Sequence, residues 1–108
     1  MNMQSCADIC NECHKICLHA AMTHCLEAGG DHLEPKHFRL MLSCAKICQT
    51  SSDLQLLGSA FSMKYCELCA EVCDACAESC EALDNMEDCA KICRTCAQSC
   101  RDMSTHAH

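Results

Sequence analysis

The sequence predicts an all-α protein, an up-down-up-down four-helix bundle whose cysteine faces point into the bundle core. Residues that break helices are few, and they divide the chain into four segments of roughly 18–24 residues each. In three of these segments the cysteines recur at alternating steps of three and four residues, which places them on one face of a helix. The connections are short, and short connections favour antiparallel neighbours with these faces turned inward.

Each predicted helix has a start or a stop signal. The first helix ends at Gly29, which suits the left-handed conformation that follows a helix. The second begins at Pro35, a good first helical residue, and ends at Gly58. Ser59 and Asn85 are the predicted N-caps of the third and fourth helices. The predicted helices span about 5–28, 35–57, 59–82 and 86–103, a flexible tail spans 104–108, and residues 1–108 form a single domain.

Cysteine dominates the composition. The chain has 108 residues, of which 16 are cysteine, well above the ~8–10 % that already marks a cysteine-rich scaffold. Leucine, isoleucine, valine and phenylalanine together number only 17, so a conventional apolar core is small. The sulfurs must therefore help to hold the fold together, as disulfides, as metal ligands or as small buried hydrophobic groups.

Charge and motifs exclude several classes of function. The formal net charge of −7 argues against nucleic acid and anionic membranes as partners. No apolar run approaches the ~18 residues of a membrane span, and no export signal is visible at the start, so we expect a cytoplasmic protein with reduced thiols. A Gly-rich phosphate loop and an H-E-x-x-H motif are both missing, so we expect no enzymatic activity.

The regular spacing also bears on what the thiols do. Cysteines three or four residues apart on one helix have Cβ atoms ~5–6 Å apart, whereas a disulfide needs ~3.5–4.5 Å. Four Zn²⁺ sites of four thiolates each would leave a buried charge of about −8, whereas one Cu(I) per bridging thiolate leaves a neutral interior. We therefore predict storage or buffering of multiple Cu(I) ions. A Zn or Cd thiolate buffer and a structural or interaction module held by disulfides between helices stay open as alternatives.

Histidine and methionine accompany the cysteines at one predicted end of the bundle. The end of the first helix and the starts of the second and fourth meet there, which brings His24, Cys25, His37, Met41 and Met86 together. Thioether and imidazole groups are ligands that copper accepts. We therefore predict His24, His37, Met41 and Met86 as auxiliary ligands or as ligands where the metal enters.

The chain resembles the bacterial copper storage proteins, cysteine-lined four-helix bundles that hold many Cu(I) ions. CELCAEVCDACAESC at 66–80 and CAKICRTCAQSC at 89–100 carry most of the resemblance, supported by CADIC at 6–10, CAKIC at 44–48 and LLGSAF at 56–61. The resemblance implies a homotetramer. Exported members of the family carry a twin-arginine signal, which is not visible here, so the likeness is to the cytosolic branch. A copper donor or acceptor protein is the expected protein partner.

The resemblance also implies which residues hold the metal, mainly cysteine pairs separated by three residues on one helix. The second helix departs from the pattern, since His37, Met41, Ser51 and Gln55 occupy positions on its cysteine face, and we expect a lower capacity at both of its ends. The implied ligands are the pairs Cys6/Cys10, Cys13/Cys17, Cys44/Cys48, Cys69/Cys73, Cys76/Cys80, Cys89/Cys93 and Cys96/Cys100, with Cys25 and Cys66 as auxiliary ligands.

Overall fold

Four helices make up the computed structural model, which describes residues 5–105 and confirms the predicted all-α bundle. The first helix, α1, is α-helical over Cys6–Ala20 and continues through a π-helical turn, Ala21–Cys25, into a last α-helical turn, Leu26–Ala28. A short 3₁₀ turn, Gly30–Leu33, leads into the second helix. The remaining helices are α2 (Pro35–Leu57), α3 (Ser62–Glu81) and α4 (Glu87–Thr105).

The helices form a closed ring around one axis. Each helix packs against the next in the chain, and α4 packs against α1. The ends of α1 and α3 therefore lie beside the starts of α2 and α4, and we call this the His/Met end; the other end of the bundle is the opposite end. Within residues 5–105, no helix is both long and apolar enough to cross a bilayer.

Side chains and glycines define the ends of α1 and α2. At the start of α1, Ser5 Oγ accepts a backbone N–H of the first turn at 3.1 Å. At the start of α2, the Glu34 carboxylate accepts the backbone N–H of His37 at 3.2 Å. Gly29 and Gly58 have φ values of 64° and 69°, which lie outside the helical conformation. The first two helices therefore end where the sequence predicted.

The third helix begins later than predicted. Ser59 does not cap it, because its side chain accepts the N–H of Phe61 at 3.1 Å in a turn that precedes the helix. Helix α3 starts at Ser62 and ends at Glu81. The predicted start at residue 59 was therefore wrong by three residues, because serine stabilises a tight turn as readily as a helix start.

The fourth helix is shifted toward the C-terminus relative to the prediction. Asn85 has a φ of 61°, and the C=O of Met86 accepts the first helical hydrogen bond, from Ala90 at 2.9 Å. Met86 therefore occupies the capping position, and the prediction of Asn85 was wrong. The helix continues to Thr105, so residues 104 and 105 of the predicted tail are helical, while 106–108 lie outside the described residues.

The π-helical turn keeps Cys25 on the cysteine face of α1. In a regular α-helix, Cys25 would lie about 80° around the axis from Cys17, which is eight residues earlier. A π turn advances through a smaller angle per residue. Ala21 and Cys25 accordingly stay on the inner face, and both are fully buried.

The core consists mainly of thiols and small side chains. All sixteen cysteines are buried, together with Met41 and Met86. Half-buried aliphatic side chains such as Ile9, Val72 and Ile92 pack against this core from outside. Alanines beside the cysteines let the helices approach closely, so the sulfurs meet along the axis. The buried alanines are Ala7, Ala21, Ala45, Ala70, Ala77, Ala90 and Ala97.

Candidate metal centre

The thiols form a continuous column along the bundle axis. Neighbouring Sγ atoms approach to 3.4 Å at Cys48–Cys73 and at Cys17–Cys93, and to 3.8 Å at Cys69–Cys73. A disulfide would require ~2.05 Å, so these are separate thiols in van der Waals contact. All sixteen cysteines of the described chain are free.

Twelve of the thiols fall into close groups that draw on several helices. In each group all the Sγ atoms lie within 4.8 Å of one another, and the groups share members. Cys48, for example, belongs to two of them. The four-thiol groups are Cys10/Cys69/Cys96/Cys100, Cys13/Cys44/Cys48/Cys73, Cys13/Cys17/Cys44/Cys93 and Cys48/Cys69/Cys73/Cys96, and a three-thiol group is Cys6/Cys66/Cys100.

The surroundings of Cys93 and Cys25 favour the protonated form of both thiols. The hydrogen-bonding thiols of Cys13 and Cys17, together with burial, raise the pKa of Cys93. Burial raises the pKa of Cys25, and the nearby Cys89 and Cys76 raise it further. Metal binding at these positions must therefore displace a proton, which is how a neutral thiol becomes a thiolate ligand.

Met41 stands in the column where α2 lacks a cysteine. Its Sδ atom is 3.4 Å from Cys80 Sγ, 3.6 Å from Cys76 Sγ and 3.8 Å from Cys89 Sγ. Cys89 Sγ is in turn 3.4 Å from Cys17 Sγ, which belongs to the close groups. A thioether therefore links the thiols of the His/Met end to the rest of the column, and thioethers bind soft metal ions.

His37 faces the isolated thiol of Cys25. The His37 Nε2 and Cys25 Sγ atoms are 3.9 Å apart, and His37 Nδ1 is 2.7 Å from Ser79 Oγ. His37 is 4 % exposed. Burial lowers the pKa of His37, and the neighbouring His32 lowers it further, so the ring is held in the neutral form that can bind a metal.

His24 lies beside the same end of the bundle. Its ring contacts the ring of His32 edge to face, with centroids 5.0 Å apart. Within residues 5–105, the buried Nε2 atom of His24 has no hydrogen-bond partner. A cavity of about 440 Å³ is lined by His24, Met86 and Cys89 among others. The structure therefore brings His24 and Met86 to one site, which the contacts of Cys89 connect to Met41.

Polar side chains take the place of cysteine at the opposite end. Gln55 Nε2 donates to Cys6 Sγ at 3.6 Å and to Ser51 Oγ at 3.2 Å. Ser51 Oγ accepts from Cys10 Sγ at 3.7 Å and lies 3.8 Å from Cys66 Sγ. The thiols at this end form a group of three instead of four.

Ser79 contacts His37, and the sequence does not single it out. It lies in CAESC at 76–80, and Ser99 has the same place in CAQSC at 96–100. Both serines are half-buried. The antiparallel packing of α2 against α3 places Ser79 beside His37. The local sequence carries no signal that predicts this contact.

The sequence profile of one protein family, described as copper storage protein, matches residues 1–105. The chain belongs to the copper storage protein family. Since the profile spans nearly the whole chain, the family assignment covers all four helices and all sixteen cysteines.

Solved structures of similar proteins share the fold. The crystal structure of the Nmul_A1745 protein from Nitrosospira multiformis is 59 % identical, with a TM-score of 0.93 and 94 % of each chain covered. The Cu(I)-bound copper storage protein BsCsp3 is 38 % identical, with a TM-score of 0.84 over 92 % of this chain and 94 % of that one. Apo-Csp3 from Bacillus subtilis is also 38 % identical, with a TM-score of 0.82 over 93 % and 96 %.

A curated relative is similar over a shorter stretch. The uncharacterized cysteine-rich protein YhjQ of Bacillus subtilis is 37 % identical over 69 residues, which are 64 % of this chain. The match spans 63 % of that relative, less than two thirds of its length.

Proposed function

We propose that this chain stores and buffers multiple Cu(I) ions on the thiolates that line its bundle, and that it is a storage protein and not an enzyme. Two findings support this function. The chain belongs to the copper storage protein family, and a relative of 38 % identity with the same fold is described as Cu(I)-bound. The proposed ligands are the sixteen cysteines, with His24, His37, Met41 and Met86 as ligands where the metal enters or as auxiliary ligands.

The overlap between the thiol groups carries the proposal. At most two of the four-thiol groups have no cysteine in common, for example the group containing Cys10 and the group containing Cys13 and Cys73. Tetrahedral Zn²⁺ sites need four ligands each, so zinc would leave many of the thiols unused. Thiolates that each bridge two Cu(I) ions can use every member of overlapping groups.

Charge favours the same ion. One Cu(I) replaces one proton on each thiol, so the buried column stays neutral as it fills. Zn²⁺ on four thiolates leaves a net negative charge in the interior, which is costly away from water. Cu(I) would move along the column by thiolate exchange, since neighbouring sulfurs approach to 3.4 Å at Cys17–Cys93 and to 4.0 Å at Cys44–Cys48.

Location and assembly are further parts of the proposal. Sixteen free thiols persist in a reducing compartment, which supports the cytoplasm. Leu18, Met22 and Leu26 are exposed at steps of four residues along α1, and such an apolar stripe supports self-association, with a homotetramer as the proposed assembly. A copper donor or acceptor protein is the proposed protein partner.

An anaerobic Cu(I) titration of the reduced protein tests the function. The protein competes with a chromophoric Cu(I) chelator, Zn²⁺ is titrated in parallel, and free thiols are counted under native conditions. We expect tight Cu(I) binding to about 16 ions per chain, with all thiols free beforehand.

Three outcomes would contradict storage. A plateau near two ions with Zn²⁺ preferred would indicate a zinc or cadmium buffer. Few free thiols before the titration would indicate a module held by disulfides. No tight binding of either metal by fully reduced protein would exclude metal storage, and protein with alkylated thiols is the matched blank.

A further inference from the structure

We propose that the opposite end of the bundle is a redox modification site, where a hydroperoxide oxidises the thiols of Cys6 and Cys100 to one disulfide. The reaction needs only the free thiols of the apo chain, so the site does not depend on copper storage. Its effect on Cu(I) capacity does rest on the proposed function.

Cys6 is the cysteine that a solute meets first. It is 8 % exposed, whereas every other cysteine is 2 % exposed or less. As the first residue of α1, it lies in the outermost turn of the opposite end. Because accessibility decides which thiol a small oxidant attacks, Cys6 is the expected point of attack.

Polar side chains surround this thiol. Gln55 Nε2 donates a hydrogen bond to Cys6 Sγ at 3.6 Å and another to Ser51 Oγ at 3.2 Å. Gln55 is half-buried, so its side chain joins the sulfur to the solvent. A hydroperoxide both donates and accepts hydrogen bonds, and the amide and hydroxyl groups beside Cys6 suit it.

Cys100 is the thiol best placed to complete the disulfide, since its Sγ atom is 3.8 Å from Cys6 Sγ. Cys10 Sγ is 4.0 Å away, but Cys10 and Cys6 are four residues apart on one helix. Cβ atoms at that spacing are ~5–6 Å apart, whereas a disulfide needs ~3.5–4.5 Å. Cys66 belongs to the same three-thiol group but lies on α3, diagonally across the ring, whereas α4 packs directly against α1.

The start of α1 gives Cys6 room to move. An S–S bond of ~2.05 Å requires the sulfurs of Cys6 and Cys100 to approach by about 1.8 Å. Helix ends open locally at low cost in free energy, and Cys6 is in the first turn of α1. A movement of this one turn therefore closes the gap while the rest of the bundle stays packed.

The oxidation takes two steps, written here for hydrogen peroxide. Cys6 sulfur attacks the O–O bond, takes one oxygen as a sulfenic acid, and the other oxygen leaves as water. Cys100 sulfur then attacks Cys6 Sγ, the S–S bond forms, and the oxygen of the sulfenic acid leaves as a second water. The two thiols lose two electrons and two protons in all, and the peroxide takes up both.

The disulfide would lower the copper capacity from the opposite end. It removes two thiols from the three-thiol group, so the oxidised chain should hold about two Cu(I) ions fewer than the reduced chain. Thiol–disulfide exchange with a reductant restores both thiols, so the change is reversible. The His/Met end keeps all of its ligands.

Peptide mapping of the unsubstituted chain tests the site without any variant. The reduced apo protein is treated with one equivalent of hydrogen peroxide under anaerobic conditions, free thiols are alkylated, and the unfolded protein is digested with trypsin without reduction. We expect mass spectrometry to find a cross-link between peptides 1–15 and 95–101, with fragment ions that place it at Cys6 and Cys100. Treatment with dithiothreitol should remove it.

Serine variants test the order of events. Cys6→Ser removes the exposed thiol, and Cys66→Ser is the matched control because it removes one thiol of the same group. We expect Cys6→Ser to consume hydrogen peroxide roughly tenfold more slowly than the unsubstituted chain. Cys66→Ser should form the disulfide at the unsubstituted rate.

Several results would overturn the proposal. One is a first disulfide at the His/Met end between Cys17 and Cys89, whose sulfurs are 3.4 Å apart. Others are sulfinic acid at Cys6 without a disulfide, equal rates in the two variants, or no reaction. Each of these leaves storage intact if the reduced chain still binds its Cu(I), whereas a reduced chain that binds no Cu(I) contradicts the proposed function and leaves the disulfide standing.

Discussion

Replacing Ser51 by cysteine should add one Cu(I) ion to the capacity of the chain. Ser51 occupies a position on the cysteine face of α2 and is fully buried. Its Oγ atom is 3.7 Å from Cys10 Sγ and 3.8 Å from Cys66 Sγ. Neighbouring sulfurs of the column have the same separations, for example 3.8 Å at Cys6–Cys100. A sulfur at position 51 would therefore join the column without moving a helix.

The expected gain follows from charge neutrality. Each thiol that loses a proton balances one Cu(I), so sixteen thiols predict about sixteen ions and a seventeenth thiol predicts about one more. The substitution removes the hydrogen bond from Gln55 Nε2 to Ser51 Oγ, 3.2 Å long, which contributes about 1 kcal/mol. Burial of the larger and less polar sulfur offsets part of that loss, so we expect the free energy of unfolding to change by less than about 1 kcal/mol.

The assay is the anaerobic Cu(I) titration, carried out on Ser51→Cys and on a matched control, Ser52→Cys. Ser52 is also buried, at 4 % exposure, but lies one residue away from the cysteine face. Both variants contain the same number of thiols, so the comparison separates position from composition. We expect the added ion only in Ser51→Cys, together with one more proton released at saturation.

Two results would refute this reasoning. Equal gains in both variants would mean that capacity follows the number of thiols and not the column. No gain in Ser51→Cys, with its added thiol shown to be free in the apo protein, would mean that the ions are not held in proportion to the thiolates along the axis.

Three further predictions concern stability and capacity. Replacing both Cys73 and Cys76 by serine should lower the capacity by about two Cu(I) ions, and circular dichroism of the apo protein should keep its helical signal; loss of that signal would count against the fold argument. Met41 is fully buried, so Met41→Ala should lower the free energy of unfolding by about 2–5 kcal/mol, and Met41→Leu by less than about 1.5 kcal/mol, in chemical denaturation. Burial raises the pKa of Cys25 above its ordinary value of 9.0, so the contribution of Cys25 to the stability of the apo bundle should be complete below about pH 9 and should be lost as pH rises further. Thermal melts of the apo protein at rising pH check this. The thiols of a Cu(I)-loaded bundle have already lost their protons, so its melting temperature should change little with pH.

The sequence alone predicts the number and the inner faces of the four helices, and it supplies the proposed ligands. The alternation of three- and four-residue steps is a property of each segment by itself, and it predicts which face of a helix the cysteines share. Because that face is the one a bundle buries, the inward position of residues such as Cys10 and Cys96 could be predicted without coordinates. The helix starts at Ser62 and Glu87 were missed, because serine and asparagine stabilise turns as well as helix starts.

The tertiary structure decided which thiols meet and what lies beside them. Spacing along one helix does not set the axial register of one helix against another, so the grouping of Cys10 with Cys69 and Cys96 could not be read from the chain. The π-helical turn that keeps Cys25 on the inner face was likewise not predicted from the sequence. Because packing sets this register, Ser79 and Ser99, which are similar in local sequence, differ in their neighbours. Local spacing thus determines the composition of the column, whereas its geometry depends on how four helices pack, since packing joins residues that are far apart in the chain.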